Sequence, residues 1–102
     1  MAAKFVALYG QPDDRDNWDR YYVNVHLPLA AKLPGLKAQR AARVVSTADG
    51  STSPYYLVGE LVFDDMNALQ AAVGSPEGQA ASQDLAAMAP PGSLLLVAED
   101  MM

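Results

Sequence analysis

The segment from Tyr55 to Phe63 constrains the fold most, because it has the composition of a strand and is apolar on both faces. An antiparallel sheet with one solvated face alternates apolar and polar residues, and this segment does not. The sequence therefore predicts a sheet that is covered on both faces. Successive side chains of a strand point to opposite faces, which gives two sets: Tyr55, Leu57, Gly59, Leu61 and Phe63 on one face, and Tyr56, Val58, Glu60 and Val62 on the other.

Turn and capping residues divide the rest of the chain into further elements. Gly10 and Pro12 end a first apolar run. Gly74 lies between two capping signals, Asp64 or Asp65 and Ser75-Pro76, which start a pair of helices. The predicted elements are strand 4–9, helix from about 14 to 26, strand 36–47 with Val44 and Val45 as its strongest part, loop 48–54, strand 55–63, helices 64–74 and 75–89, and strand 93–99.

This order predicts a single α+β domain over residues 1–102, a ferredoxin-like βαββαβ fold with a four-stranded antiparallel sheet and helices on one face. The last strand is also apolar on both of its faces, and the helices can cover only one side of the sheet. We therefore expect a second copy of the chain to cover the other face about a two-fold axis, giving a homodimer. Two facing sheets would also enclose a cavity, which is expensive for a lone domain of this size.

Composition excludes several kinds of partner. The net charge of −5 gives no electrostatic attraction to a nucleic-acid backbone. The chain has no cysteine and one histidine, too few for a metal site with three or four protein ligands. No apolar run reaches the roughly 20 residues that span a bilayer, and the N-terminus does not read as a signal peptide. We expect a cytoplasmic protein with no metal, cofactor, membrane or nucleic-acid partner.

The first helix carries the candidate chemistry. Helical spacing predicts Trp18, Tyr22, Val25 and Leu29 on one face, with Tyr22 and His26 one above the other on its flank. Pro28 predicts a kink or break near Leu27, which would place His26 at the rim of a cleft. His26 is the candidate acid or base; a histidine at a helix end, bonded to a carbonyl or water, explains the sequence equally well.

Other residues are candidates for binding a ligand. Tyr22 could donate to a ligand carbonyl or share a proton with His26, although a helical tyrosine is more often a core residue with its hydroxyl at the surface. Strand tyrosines that face the second side of the sheet would line the cavity of the dimer. Trp18 is interpreted as a packing anchor more than a ligand stacker, Glu60 as an edge or dimer contact, and Asp84 as exposed. The candidates that bind ligand are Tyr9, Trp18, Tyr55, Tyr56 and Arg40, of which Arg40 could anchor a carboxylate.

The chain resembles the EthD family of the dimeric α+β barrel superfamily. The likeness extends over essentially the whole chain and rests on three places: Trp18 and Tyr22-Val-Asn-Val-His26-Leu-Pro28-Leu29 followed by Pro34-Gly35-Leu36, the strand Tyr56–Phe63, and Ser75-Pro76-Glu77-Gly78 leading to Asp84-Leu85. The resemblance implies a dimeric α/β barrel with an apolar cleft near His26. It does not imply one reaction, because the superfamily includes isomerases, cyclases and cofactor-free monooxygenases.

Three functional hypotheses follow. The first is a homodimer that binds an aromatic or lactone-like metabolite and catalyses isomerisation, cyclisation or decarboxylation, with His26 as acid or base and Tyr22 as its hydrogen-bonded neighbour. The second is an auxiliary or ligand-carrier protein with the same cleft and no catalysis. The third is a cofactor-free monooxygenase.

Overall fold

The computed structural model describes all residues, 1–102, and has the predicted ferredoxin-like α+β fold. The four strands form one antiparallel sheet in the order β2-β3-β1-β4. Helices lie on one face of this sheet. The elements are β1 (Ala3–Gly10), α1 (Arg15–Tyr21), a π-helical turn (Tyr22–His26), α2 (Leu27–Ala30), β2 (Ala38–Arg43), β3 (Tyr55–Phe63), α3 (Met66–Gly74), α4 (Pro76–Met88) and β4 (Leu94–Glu99).

The core lies between the sheet and the helices. β1 pairs with β3 so that Ala3 lies opposite Phe63 and Ala7 lies opposite Gly59. Their odd-numbered side chains face the helices, and Ala3, Ala7 and Phe63 are buried. The predicted caps are present: the side chain of Asp65 accepts from the N–H of Ala68, and that of Ser75 accepts from the N–H of Gly78.

The first helix does not break near Leu27, so of the predicted kink or break the break is absent. It continues to Ala30 through the π-helical turn, in which the N–H of Leu27 donates to the carbonyl of Tyr22, five residues back. A π turn holds one residue more than an α turn, which shifts the inward positions by one. His26 and Ala30 are therefore buried, whereas Val25 is 37% exposed. The predicted apolar face of Trp18, Tyr22, Val25 and Leu29 is wrong after Tyr22.

Strand β2 is shorter than predicted. It ends at Arg43, and although the N–H of Val44 still donates to the carbonyl of Tyr56, Val45 has left the sheet and is 94% exposed. Two adjacent valines favour an extended chain, but β3 offers no further partner beyond its own first residue, Tyr55. The strongest part of the predicted strand therefore lies in the loop that follows it.

Strand β3 departs from simple alternation at Tyr56. The pairing of β1 with β3 shifts between Tyr9 and Gly10, so that Tyr9 lies opposite Leu57 and Gly10 opposite Tyr55. This irregularity leaves Tyr56 buried on the helix side, with its ring against Trp18. The predicted position of Tyr56 on the face opposite to Leu57 is wrong, because a bulge inserts one residue and reverses the alternation locally.

The far face of the sheet carries no helix. Strand alternation places Val6, Val58, Val62, Leu94 and Leu96 on it, around the ion pair that Arg40 forms with Glu60 on the neighbouring strand (3.9 Å). All six residues of the edge strand β4 are exposed. Both faces of the strands are apolar, and the helices cover only one of them. The far face of the sheet is therefore an apolar surface without a covering layer in this subunit.

Candidate functional site

An apolar cleft of about 330 Å³ lies inside the subunit, between the sheet and the helices. We expected a cavity to need two facing sheets, but the helices stand far enough from β1 and β3 to leave this space in one chain. The cleft is on the helix side, opposite the uncovered face. Its lining includes Tyr9, Tyr22 and Gly59 near one wall, and Ala81 and Leu85 of α4.

His26 lines this cleft and is almost completely buried, with 5% of the residue exposed. Its Nδ1 lies 2.9 Å from Oδ2 of Asp84 on α4. An ionised carboxylate can only accept, so this contact makes Nδ1 the protonated nitrogen and leaves Nε2 with the free lone pair when the ring is neutral. The second oxygen of Asp84 accepts a hydrogen bond from the hydroxyl of Tyr21. The geometry is that of a base held in one tautomer by a carboxylate.

Asp84 is the site residue that the sequence analysis missed. We expected it on an exposed helix face, but only 12% of its side chain is exposed. It lies three residues after Ala81 and one before Leu85, both buried, so it occupies the flank of the inward face of α4. The one histidine of the chain also lies beside the inward face of its helix. These two positions are the signal from which the pairing of Asp84 with His26 could have been predicted.

Three rings of the first helix form one stack. The Trp18 and Tyr22 rings lie 5.1 Å apart with an angle of 9°, and the Tyr22 ring and the His26 imidazole lie 5.8 Å apart with an angle of 21°. The predicted placement of Tyr22 over His26 is confirmed. Trp18 packs outside the cleft lining, and its Nε1 donates to the carbonyl of Met88 at 3.0 Å. The stack fixes the plane of the imidazole ring.

Tyr22 neither bonds to His26 nor exposes its hydroxyl at the surface. It is 3% exposed and contacts His26 through its ring face, so the hydrogen-bonded neighbour of His26 is Asp84. Tyr9 is 2% exposed and packs edge-on against Tyr22, with ring centroids 5.4 Å apart. Neither hydroxyl has a hydrogen-bond partner within the protein. Burial raises the pKa of Tyr22 to about 12, and burial followed by the proximity of Tyr22 and Asp84 raises the pKa of Tyr9.

The other predicted ligand-binding residues lie away from His26. The hydroxyl of Tyr56 donates to both carboxylate oxygens of Asp19, at 3.0 and 2.9 Å. Tyr55 and Tyr56 line a separate polar groove of about 200 Å³. Arg40 touches the border of the apolar cleft, but its side chain is 63% exposed and pairs with Glu60 on the far face. Of the five predicted ligand-binding residues, Tyr9 alone lines the cleft beside His26 and Tyr22.

The described side chains include no group of three or more His, Cys, Asp or Glu residues arranged to hold a metal ion. None of the helices combines the length and the apolar character that crossing a membrane requires.

Comparison with known proteins shows a family match over most of the chain. The model of the EthD domain matches residues 11–91. An uncharacterised 11.0 kDa protein of the thcB–thcC intergenic region of Rhodococcus erythropolis is 31% identical over 95% of this chain and 93% of its own length. The crystal structure of an EthD family protein from Bacillus halodurans is 38% identical, covers 99% of this chain and 100% of its own, and superposes with a TM-score of 0.91.

More distant structures share the fold alone. A dimeric ferredoxin-like protein of unknown function from Jannaschia sp. is 21% identical over 98% of this chain and all of its own, with a TM-score of 0.71. SnoaB, a cofactor-independent oxygenase from Streptomyces nogalater, is 15% identical over 99% of this chain and 94% of its own, with a TM-score of 0.69.

Proposed function

Because the chain belongs to the EthD domain family, which fixes its fold and not a reaction, we propose from the site that it binds an aromatic or lactone-like metabolite and catalyses proton transfer with His26 as the base. The observation that carries this proposal is the contact of 2.9 Å between His26 Nδ1 and Asp84 Oδ2 beside an apolar cleft. A histidine that only packs at a helix end needs neither the carboxylate nor the cleft.

The chemistry follows from the roles of the two nitrogens. Asp84 holds the proton on Nδ1 and stabilises the imidazolium that forms when Nε2 accepts a proton. The proton comes from a carbon next to a ligand carbonyl, and the electron pair of that C–H bond moves to the carbonyl oxygen as an enolate. Return of the proton at another carbon completes an isomerisation. His26 and Asp84 lie on different elements, so α4 must pack against the first helix for the base to be complete.

The lining of the cleft supports an apolar, ring-shaped ligand. A volume of about 330 Å³ is at the small end of ligand pockets, which begin near 300 Å³. Apolar residues dominate the lining, and the polar groups near His26 are few. The walls favour a ring system with one or two oxygens over a sugar, a nucleotide or a peptide.

We further propose that the working form is a homodimer joined through the far face of the sheet. The half-buried side chains of Val6, Leu8, Val58 and Val62 and the exposed side chain of Leu96 form an apolar surface there, on which no helix of this chain packs. Such a face in a monomer is a liability that association removes. This placement keeps the cleft, which is on the opposite side, open in each subunit.

A cofactor-free oxygenase is the second candidate. The same base in the same apolar cleft could take the proton of a phenol, which leaves an electron-rich ring that dioxygen can oxidise. The apolar lining beside His26 favours this candidate, because it can receive the ring of a phenol next to the base.

Exchange of carbon-bound hydrogen for deuterium tests the proton transfer without knowledge of the natural substrate. The probes are 2-tetralone, a ketone, and 3,4-dihydrocoumarin, a lactone, followed by NMR in D₂O. We expect His26→Ala to lower the protein-dependent exchange rate by about 100-fold or more, since general bases contribute roughly 10²–10⁴. Asp84→Asn should lower it about tenfold, and Asp16→Asn, which removes an exposed carboxylate, should leave it unchanged.

The outcomes separate the three hypotheses. The chain has one histidine, so its imidazole signals report ligand binding directly. Binding that shifts these signals without any deuterium exchange would reject catalysis and leave a carrier. An exchange rate that survives His26→Ala would reject His26 as the base. Oxygen uptake with 2-naphthol that His26→Ala abolishes would replace the isomerase by the oxygenase.

A further inference from the structure

We infer that the hydroxyl groups of Tyr9 and Tyr22 form a two-donor site for a negatively charged ligand oxygen, so that the ligand is a planar phenol or an enolisable ketone whose oxygen becomes an anion in the cleft. This inference rests on the proposed function of the cleft and names its ligand class. Its starting point is that both tyrosines line the cleft, are at least 97% buried, and have no hydrogen-bond partner for their hydroxyls within the protein.

The two hydroxyls must open onto the cleft. Every side-chain nitrogen or oxygen that is shut away from solvent in this structure has a hydrogen-bond partner. The hydroxyls of Tyr9 and Tyr22 have none, so both border accessible space, and the cleft is the accessible space that both rings line. A buried phenol that has no partner costs stability unless water or a ligand bonds to it.

Gly59 makes room for one of the donors. A Cβ atom at this position of β3 would lie 3.0 Å from the hydroxyl oxygen of Tyr22 and 3.5 Å from Cε2 of Tyr9. The hydroxyl of Tyr22 therefore rests on the bare backbone of the strand, beside the ring of Tyr9. Glycine inside a strand weakens it, and it is found where another group approaches closely.

The two hydroxyl donors favour an anion over a neutral acceptor, and they must outweigh the burial and the Asp84 charge that raise the pKa of Tyr9. The raised pKa values of the two phenols keep both hydroxyls protonated at neutral pH, so they serve as donors and not as acids. Asp84 is occupied by His26 and Tyr21 and does not compete for them. Hydrogen bonds to a charged oxygen are stronger than bonds to a neutral one, and two preorganised donors are the arrangement that stabilises an enolate as it forms.

Binding of 2-naphthol as a function of pH tests the inference, because absorbance distinguishes the phenol from its anion. We expect the bound compound to ionise at least one pH unit lower than the free compound, a tenfold preference for the anion. Tyr9→Phe and Tyr22→Phe should each reduce this preference about tenfold or abolish it. Tyr55→Phe, the same change outside the cleft, should leave it intact. Affinity for 2-methylnaphthalene, which has no oxygen, should not fall in either cleft variant.

Several results would overturn the inference. They are an unchanged ionisation of bound 2-naphthol, an anion preference that survives both cleft substitutions, and no binding of 2-naphthol up to its solubility limit. Urea unfolding checks that each variant is folded, and if one is not, the other decides. This test is independent of the test of the base. If His26→Ala abolishes deuterium exchange but the wild-type protein does not favour the anion of 2-naphthol, the proposed function stands and this inference fails. If the protein favours the anion but deuterium exchange survives His26→Ala, this inference stands and the role of His26 fails.

Discussion

Replacing Gly78 by alanine tests the packing that brings Asp84 to His26. Gly78 lies near the start of α4, where the chain passes close to the end of α3. A Cβ atom there would lie 2.1 Å from the carbonyl oxygen of Ala72 and 2.5 Å from that of Val73. Both contacts are with backbone, which cannot rotate away. To restore even 3.0 Å, α4 must move by about 0.9 Å (3.0 minus 2.1).

Two effects of opposite sign decide the magnitude. Alanine is the better helix former by about 1 kcal/mol. Overpacking costs roughly 1–3 kcal/mol and occasionally more, and a clash with fixed backbone belongs at the upper end of that range. We therefore expect a net loss of about 2 kcal/mol in the free energy of unfolding. At about 4–8 °C per kcal/mol for a domain of this size, the melting temperature should fall by roughly 10 °C.

Gly74, the last residue of α3, provides a matched control. A Cβ atom there would have no heavy atom within 4 Å, and its φ is not positive. Gly74→Ala should therefore leave the melting temperature unchanged or raise it by a few degrees. Circular dichroism at one protein concentration measures both variants, since association would otherwise shift the values. Equal stability of the two variants would refute the close approach of α4 to α3.

Gly78→Ala should also affect the site. If α4 moves as a rigid body, the contact between Asp84 and His26 lengthens from 2.9 Å toward 3.8 Å (2.9 plus 0.9), beyond hydrogen-bonding distance. The deuterium-exchange rate should then fall about as far as in Asp84→Asn. A Gly78→Ala variant that loses stability but keeps the full exchange rate would show that the packing of α4 against α3 does not control the contact between Asp84 and His26.

Three further predictions concern the tyrosines, the dimer and Gly59. Burial raises the pKa of Tyr22 from 10.0 to about 12, so the folded state favours the neutral phenol. The neutral phenol therefore contributes roughly 3 kcal/mol to the free energy of unfolding below pH 10, and this contribution is lost as the pH rises through 12. Urea unfolding between pH 8 and 12 should show this loss, and Tyr22→Phe should reduce it, while the part due to Tyr9, whose pKa is also raised, remains. Leu96→Asp should convert a dimer of twice 10.9 kDa to a monomer in sedimentation, whereas Val45→Asp, exposed and outside the sheet, should not. Gly59→Ala should displace the Tyr22 hydroxyl by a few tenths of an ångström and weaken anion selection without unfolding the protein.

The order of the elements and the class of the fold could be predicted because their signals are local. Gly10, Asp65 and Ser75 act on their own neighbours, and strand composition is read over a few residues. The location of the cleft could not be predicted, because it depends on how far the helices stand from the sheet. Small residues on the facing sides of the sheet and of α4, such as Ala7, Gly59 and Ala81, create that space, and each is equally compatible with close packing.

The partner of His26 was hidden for a related reason. Asp84 is 58 residues away in sequence. Its place beside the buried Ala81 and Leu85 puts it on the flank of the inward face of α4, but does not identify the side chain that it meets there. Tyr56 was misplaced by a bulge that depends on the pairing of two strands. In each case, the feature arises between elements that local patterns describe one at a time.

The π-helical turn explains why the apolar pattern of the first helix misleads. Regular α spacing turns Val25 inward and leaves His26 on the flank, which is the arrangement that hydrophobicity favours. Pro28 cannot donate a backbone bond and crowds the carbonyl four residues before it. Widening the turn at Tyr22–His26 accommodates the proline without breaking the helix, and it exposes Val25 while burying His26 and Ala30. A buried valine is exchanged for a buried histidine, which is unfavourable unless the imidazole is paired. Asp84 supplies that pairing. The π-helical turn of the first helix and the placement of α4 therefore depend on each other, and His26 is held as a base by the contact between these two elements.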